Sequence, residues 1–317
     1  MLEYVIRRLV MLVPTVLGVS LLVFLAMHFM PTDPARMMLT EHRAGQVAVE
    51  VGGITEEMIE AQRIRMGLHR PLYAQFGSFV WNVVRGDLGE SWRTGRRVST
   101  MIMRNLPYTV ELSLGGLLIG TFLGISFGVI SALKHKTWFD TSAMFLSVVG
   151  VSMPSFWLAL MLLLFIGMRI DWIPNFGSGT FAHVLLPATT LGLRGAAMIA
   201  RITRSSMLEI LGEDYVRTAR AKGLSERVVV YKHSLKNALI PVVTLVGLSL
   251  GAVLSGTVIL ENVFGRPGLG RLAVDFLLER DFPVVQAVIL LIAIAYVVAN
   301  LVVDITYGYI DPRIRYG

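Results

Sequence analysis

Long apolar segments recur along most of this chain, and they restrict its possible folds more than any other feature. A helix needs about 20 mainly apolar residues to cross the hydrocarbon core of a bilayer, where every backbone polar group must be satisfied internally. The segments of sufficient length are Leu9–Met30, Leu106–Leu133, Phe139–Met168, His183–Ala200, Leu239–Leu260 and Pro283–Thr306. The pattern predicts an all-α, polytopic membrane protein with six transmembrane helices.

The first apolar segment is interpreted as an uncleaved span rather than a secretory signal. A signal has a shorter apolar core and a small-x-small cleavage site, whereas Leu9–Met30 is longer and has no such site. Arg7 and Arg8 precede it and place the N-terminus on the cytoplasmic side. The predicted domains are residues 1–30, the first transmembrane helix, residues 31–105, an external region, and residues 106–317, a five-helix core.

The polar region 31–105 contains one clear helix prediction. Thr55 is a suitable N-cap, acidic residues fill the first turn, and Gly67 marks the end. We expect most of this region to pack against the spans as an external insert. A second hypothesis is that it helps to seat an external binding protein.

Glycines in the second span recur every four residues. Gly116, Gly120, Gly124 and Gly128 therefore share one helix face. Small residues on such a face let helix backbones approach closely in a membrane. We expect this face to serve helix packing rather than to line a pore.

The segment Phe139–Met168 is too long for one straight span and too short for two. Two spans would place the basic region 201–236 outside, against the bias of Lys and Arg toward the cytoplasm. We therefore predict one span that is broken at Pro154 and continues near the outer surface. Because a break in a membrane helix is tolerated when it is buried or faces a water-lined cavity, Ser152, Met153 and Pro154 are candidate pathway residues.

Arg194 lies inside the fourth apolar segment. A charge at such a position is costly and usually faces the bundle interior or a water path, which makes Arg194 a fourth candidate pathway residue. Snorkelling to the inner face is the alternative, since this segment is short.

The polar region between the fourth and fifth segments carries helix-boundary signals. Gly212 is expected to end one helix in the left-handed conformation, and Gly223 to end a short helix over Tyr215–Lys222. Ser225 is a plausible cap for a third helix that runs to about Leu239. The short helix has a face of small residues that would fit a groove on another protein, formed by Val216, Thr218, Ala219 and Ala221. A solvated connection between two spans is the alternative.

The same region resembles the EAA loop of binding-protein-dependent ABC importer permeases. The matching segments are Arg201–Glu209, Glu213–Gly223 and His233–Pro241, and they resemble the dipeptide/oligopeptide/nickel family, closest to its dipeptide permease B-type branch. Arg217, Thr218 and Ala219 stand where the broad motif has Glu-Ala-Ala, and Lys236 stands where it has proline. These departures favour the peptide/nickel branch over sugar-type permeases.

Further segments resemble the same family, so that the resemblance runs from Tyr4 to Arg315. They include Glu261–Gly270 and Arg271–Pro283, which in the family form an outer re-entrant or interfacial helix near the gate, and the basic tail Tyr307–Arg315. The family mostly has an uncharged residue at the position of Arg194, so this arginine is expected to tune substrate choice if it faces the pathway.

The resemblance implies a type I ABC importer permease in a bacterial cytoplasmic (inner) membrane, with both termini cytoplasmic. Its implied partners are a second homologous permease, two cytoplasmic ATP-binding subunits and an external substrate-binding protein. Di- and oligopeptides would be moved by alternating access; nickel chelates, glutathione and oligosaccharides remain alternative substrates. The implied contacts with the ATPases are Glu213, Asp214, Tyr215, Arg217, Thr218, Ala219, Ala221, Lys222, Gly223 and Leu224.

Composition argues against other functions. The chain has no cysteine and no Walker-type phosphate loop, so ATP and Mg²⁺ are expected on the partner ATPases and no cofactor, metal or catalytic residue on this chain. The net charge of +7 suits basic inner loops better than nucleic-acid binding. An ion-coupled secondary transporter is disfavoured because no repeat is found and membrane acids are few. An intramembrane enzyme is disfavoured because His28 and His183 lie at span ends.

Overall fold

The computed structural model describes residues 2–29, 33, 35, 36, 39 and 55–310. Its helices are α1 (Leu2–His28), α2 (Glu56–Arg65), α3 (Leu72–Val84), α4 (Val98–Leu133), α5 (Trp138–Ser152), α6 (Ser155–Leu162), α7 (Ala182–Leu211), α8 (Asp214–Ala221), α9 (Glu226–Val228), α10 (Leu235–Ala238), α11 (Ile240–Val263), α12 (Leu269–Leu278) and α13 (Phe282–Ile310). Two π-helical turns, Leu163–Gly167 and Val229–Ser234, join α6 to the following turn and α9 to α10. The all-α prediction is confirmed.

The chain forms two compact units. The first comprises residues 1–9, 107–271 and 295–317, and the second comprises residues 10–106 and 272–294. The predicted domain boundaries, after residues 30 and 105, differ from the boundaries of these two units. The predicted domain division stays a prediction. The predicted basic tail extends beyond residue 310 and lies largely outside the described residues.

Close packing of α4 on α7 organises the first unit. A Cβ added at Gly120 would lie 2.8 Å from the carbonyl oxygen of Gly192, and one at Gly128 would lie 2.5 Å from Cβ of Thr203. Such distances leave no room for a side chain, so the glycine face of α4 is a packing face, as its spacing predicts. Contacts advance together along both helices, from Gly115 against Ala188 to Gly128 against Thr203, which shows that α4 and α7 run parallel.

The parallel arrangement of α4 and α7 determines the path of the chain through α5 and α6. Two consecutive parallel helices require that the connection between them returns the chain to the starting end. Here α5 and α6 make that return, with a bend of 113° between Trp138–Ser152 and Ser155–Gly167. Pro154 stands at the bend in extended conformation and has no N–H to continue the helix. The predicted break at Pro154 is confirmed.

Each end of the first unit has its own apolar core. Leu112, Ala159, Leu186 and Leu260 cluster at the end where α4 and α7 begin. Val129, Ala132, Met207, Val230 and Ala238 cluster at the end where they finish. We call the second of these the loop end, because the segment between α7 and α11 packs there.

The second unit holds together through a few specific contacts. Phe24 of α1 packs against the rings of Phe76 and Phe79 on α3. Arg63 of α2 pairs with Asp33 at 2.5 Å. The predicted helix after Thr55 is confirmed, with Thr55 at the N-cap position and Gly67 in the left-handed region.

The length and apolar character of the helices support a membrane protein. Among the described residues, α4 and the Phe282–Val303 part of α13 are long and apolar enough to cross a bilayer, and the bent pair α5–α6 makes a third candidate. Val10–Ala26 and Ile240–Ser249 are shorter apolar stretches of α1 and α11. The predicted number of six spans stays a prediction.

Candidate functional site

The candidate site is α8, the short helix that the sequence singles out at the loop end. It is packed onto the chain by Val216, Ala219 and Val229, which are 0%, 6% and 0% exposed. Ile210 and Leu211 of α7 complete this small core. The predicted small-residue docking face is therefore corrected: Val216 and Ala219 face inward, because they are what anchors the helix to its own chain.

The opposite side of α8 is open. Asp214, Arg217, Thr218 and Ala221 are all exposed, and their spacing places them on one face. Glu213, Tyr215, Lys222, Gly223 and Leu224 are also exposed and flank that face at either end. The structure thus brings together, at one surface, every predicted coupling residue except Ala219.

Glycine conformation sets the end of α8. Gly223 has a φ of +78°, and its N–H donates to the carbonyl of Arg220 at 2.9 Å. This left-handed residue ends the helix as the sequence predicts. Gly212 differs from the prediction, since its φ of −82° is right-handed and the chain passes into α8 through an extended Glu213 instead.

Two polar contacts tie α8 to the segment that follows it. Arg220 Nη2 donates to Glu226 Oε1 at 2.8 Å, and Asn237 Nδ2 donates to the hydroxyl of Tyr215 at 2.9 Å. The hydrogen bond from Arg220 lowers the pKa of the Glu226 carboxyl. Ser225 occupies the predicted N-cap position but forms no capping hydrogen bond, and the predicted third helix contains the π-helical turn Val229–Ser234.

A buried ion pair that joins α7 to the start of α5 was missed by the sequence analysis. Arg204 of α7 donates Nε to Asp140 Oδ1 at 2.6 Å and Nη2 to Asp140 Oδ2 at 2.7 Å, while Asp140 is 3% exposed. Ser131 also donates to Asp140, and the backbone N–H of Lys136 does so at 3.1 Å. The available signal was an acid in the first turn of a span that follows a short basic loop.

The candidate pathway residues fall into two places. Ser152, Met153 and Pro154 line an apolar cavity of 370 Å³ at the bend, together with Val148, Val149 and Trp157. Ser152 itself donates back to the carbonyl of Val148 at 2.9 Å. Arg194 does not line this cavity; it is exposed on α7.

The motif Glu261–Gly270 forms a carboxylate cradle at the end opposite α8. Glu261 is 0% exposed and accepts from Thr109 Oγ1 at 2.7 Å and from the N–H of Arg271 at 3.1 Å. A Cβ at Gly268 would collide with the Glu261 carboxylate, which explains that glycine. This cradle fixes the start of α12 against α4, because Thr109 also accepts from the N–H of Leu269 at 2.8 Å.

A second buried charge lies beside this cradle. Arg266 is 1% exposed and donates Nη2 to Glu111 Oε2 at 2.5 Å. Its guanidinium also lies 5.4 Å from the ring centroid of Tyr108. Glu111, an acid in the second span, is thus an ion-pair partner of Arg266.

Comparison with known proteins assigns the family. Residues 124–316 match the model of the binding-protein-dependent transport system inner membrane component, and residues 1–113 match that of the N-terminal part of such membrane components. The glutathione transport system permease protein GsiC of Escherichia coli K12 is 43% identical over 316 residues, covering 100% of both chains. The dipeptide transport system permease protein DppB of Alkalihalophilus pseudofirmus is 40% identical over 344 residues, again covering 100% of both.

Solved structures share the fold. An inward-facing methionine ABC transporter, MetNI, matches with a TM-score of 0.57 and 18% identity, covering 67% of this chain and 96% of that one. An amino acid ABC transporter matches with a TM-score of 0.50 and 19% identity, covering 68% and 94%. The chain therefore belongs to the binding-protein-dependent transport system inner membrane components, as an ABC importer permease subunit of the peptide/dipeptide family.

Proposed function

We propose that this chain moves di- and oligopeptides across the bacterial cytoplasmic membrane by alternating access, driven by ATP hydrolysis on separate subunits. One observation carries the proposal: α8 presents an exposed polar face while Val216 and Ala219 lock it onto the end of α7. Because α8 is anchored in this way, a displacement of α8 by a bound partner is transmitted to α7.

The proposed assembly contains a second homologous permease, two cytoplasmic ATP-binding subunits and an external substrate-binding protein. The loop end faces the cytoplasm in this arrangement, because Arg201, Arg204, Arg217, Arg220 and Lys222 concentrate there. Both termini are then cytoplasmic. ATP and Mg²⁺ belong to the partner ATPases, and this chain contributes no catalytic residue.

The proposed mechanism has two states. Closure of the ATPase dimer displaces α8 in each permease, and the rigid α7 rotates the spans so that the pathway opens toward the docked binding protein. Hydrolysis releases the ATPase dimer and restores the inward-facing state. The bend at Pro154 lies in the moving bundle and contributes Ser152, Met153 and Pro154 to the pathway.

The substrate class is proposed from the relatives. Two permeases that match over their whole length are named for glutathione and for dipeptides, both of which are short peptides. We therefore place short peptides first among the substrates. A nickel chelate or an oligosaccharide found on the co-purified binding protein would replace that choice without altering the transport mechanism.

A pair of substitutions at Ala221 tests the coupling role. Ala221 is exposed on the outward face of α8, so that tryptophan there leaves the core intact but blocks close contact with a partner. We expect Ala221→Trp to abolish ATP-dependent peptide uptake and co-purification of the ATPases, with membrane insertion and thermal stability unchanged. The control Ala221→Ser keeps the surface small and should transport normally. Normal uptake by the Ala221→Trp variant would refute the docking assignment.

A further inference from the structure

We infer that Arg194 lies in the translocation pathway and binds the carboxylate of the peptide in transit. This inference rests on the proposed function and names the substrate group that the site recognises. It draws on three properties of Arg194: its depth along α7, the face of α7 on which it lies, and its charge, which no described residue pairs.

The depth of Arg194 follows from the register of α7 on α4. Gly120 contacts Gly192 and Ala196, and Gly124 contacts Ala196 and Ile199. Arg194 therefore lies level with about Gly120, near the middle of the apolar segment Leu106–Leu133 of α4, a helix apolar enough to cross a bilayer. It is about 18 Å along the axis from Ala182 and about 15 Å before Arg204, at a rise of about 1.5 Å per residue. Since a bilayer core is about 30 Å thick, Arg194 belongs near its middle.

The face of α7 that carries Arg194 is one that the described residues leave uncovered. At about 100° per residue, Arg194 points about 160° away from Gly192, which packs against α4. Ala197 faces Gly150 of α5, and Leu191 faces Gly256 of α11. The remaining face consists of exposed residues at helical spacing: Arg194, Met198, Arg201 and Ser205.

The charge of Arg194 has no partner among the described residues, where it forms neither an ion pair nor a hydrogen bond. An unpaired charge facing lipid at this depth is costly, so the face must meet water or an acidic group. Snorkelling of Arg194 toward the loop end is disfavoured. Side chains on a helix tilt toward its N-terminus, whereas the loop end lies toward the C-terminus of α7, beyond Arg204.

A peptide in transit supplies the complementary group. Every linear peptide with a free C-terminus carries a carboxylate, and a guanidinium accommodates a carboxylate through two parallel hydrogen bonds. Nearby Arg201 donates Nη2 to Met198 Sδ at 3.2 Å, which orients a second cation on the same face. Together the two arginines create a positive path that favours anionic substrates over neutral ones.

Cysteine accessibility tests the position, because the natural chain has no cysteine and each variant then carries a single thiol. We propose labelling Arg194→Cys with a negatively charged methanethiosulfonate in the assembled transporter and measuring the mass of this chain. The control Phe122→Cys lies on α4 at the same depth, where Phe122 is 72% exposed on the side away from α7. We expect Arg194→Cys to react at least about tenfold faster, since thiolate chemistry requires water.

Protection from labelling tests whether a peptide in transit passes position 194. Peptide-loaded binding protein with ATP should slow the labelling of Arg194→Cys, and empty binding protein should not. Equal labelling of Arg194→Cys and Phe122→Cys would overturn the pathway position. Equal slowing by loaded and empty binding protein would show that the peptide does not pass position 194 and would overturn the pathway position.

Kinetics of charge-conserving and neutral variants complete the test. With saturating loaded binding protein, Arg194→Gln should reduce uptake of a peptide with a free carboxylate by about tenfold, and Arg194→Lys by less, given the strength of charge-assisted hydrogen bonds. Equal rates for the two variants would overturn the carboxylate role. ATP-dependent uptake by the unsubstituted chain is measured in the same vesicles, so that failure of the proposed function is recognised separately.

Discussion

Replacing Gly120 with alanine tests the helix packing on which the rest of the bundle depends. An added Cβ would lie 2.8 Å from the carbonyl oxygen of Gly192 and 3.5 Å from the N of Ala196. Both obstacles are backbone atoms of α7, so no side-chain rotation relieves the contact. The two helices must separate along part of their shared length.

Two opposing effects set the change in stability that Gly120→Ala causes. Overpacking a close interface costs about 1–3 kcal/mol, whereas alanine in place of glycine inside a helix gains about 0.5–1 kcal/mol. Gly195 offers a control on α7, the other helix of this interface, because a Cβ there would meet nothing within 4 Å. We therefore expect Gly120→Ala to destabilise by about 1 kcal/mol and Gly195→Ala to stabilise by up to about 1 kcal/mol.

Because Gly120→Ala should destabilise the protein and Gly195→Ala should stabilise it, comparing the two variants tests the close packing of α4 on α7. Both variants would be purified in the same detergent and unfolded by titration with a denaturing detergent, with helical content followed by circular dichroism. If Gly120→Ala proved as stable as Gly195→Ala, the close approach of α4 and α7 would be wrong, and with it the depth assigned to Arg194.

Three further predictions concern polar groups. Asp140→Asn should destabilise the protein by about 3 kcal/mol in the same denaturation assay, the low end for a broken buried ion pair, because the Arg204 side chain keeps 23% exposure. Gly268→Ala should cost about 2–4 kcal/mol by displacing the buried carboxylate that it faces, measured likewise. The Arg220 pair lowers the pKa of Glu226, so its stabilisation is complete above the ordinary carboxyl pKa of 4.5 and is lost as the pH falls through the lowered value. Limited proteolysis of the loop should accelerate as the pH falls below 4.5, and Glu226→Gln should remove that change.

Periodicity and helix punctuation could be read from the sequence because they depend on local chemistry. The four-residue spacing of glycines in α4 predicted a packing face, and the structure supplies its partner, α7. The break at Pro154 followed from segment length and the missing N–H of proline. The left-handed Gly223 followed from its position after a short polar helix.

Properties that depend on distant residues could not be read in this way. Val216 and Ala219 are buried by Val229 and by the end of α7. From the sequence, their small-residue face was expected to be available to a partner protein, but it packs against this chain. The Asp140–Arg204 pair joins residues 64 positions apart, and no local signal links them. Gly212 shows a further limit, since a glycine at a helix end can keep a right-handed conformation when the next residue is extended.

The placement of these contacts explains how one helix can connect the two ends of the bundle. α7 is an unbroken helix of 30 residues. At the loop end it carries α8 through Ile210 and Leu211, and Arg204 ties it to the start of α5. Along its middle, α7 packs closely on α4, and at Gly120 and Gly192 the two backbones meet with no side chain between them. In the proposed mechanism, a displacement of α8 would therefore move α4 and α7 together, and the bend at Pro154 and the π-helical turns would take up the adjustment, because the regular helical hydrogen bonding is already interrupted there.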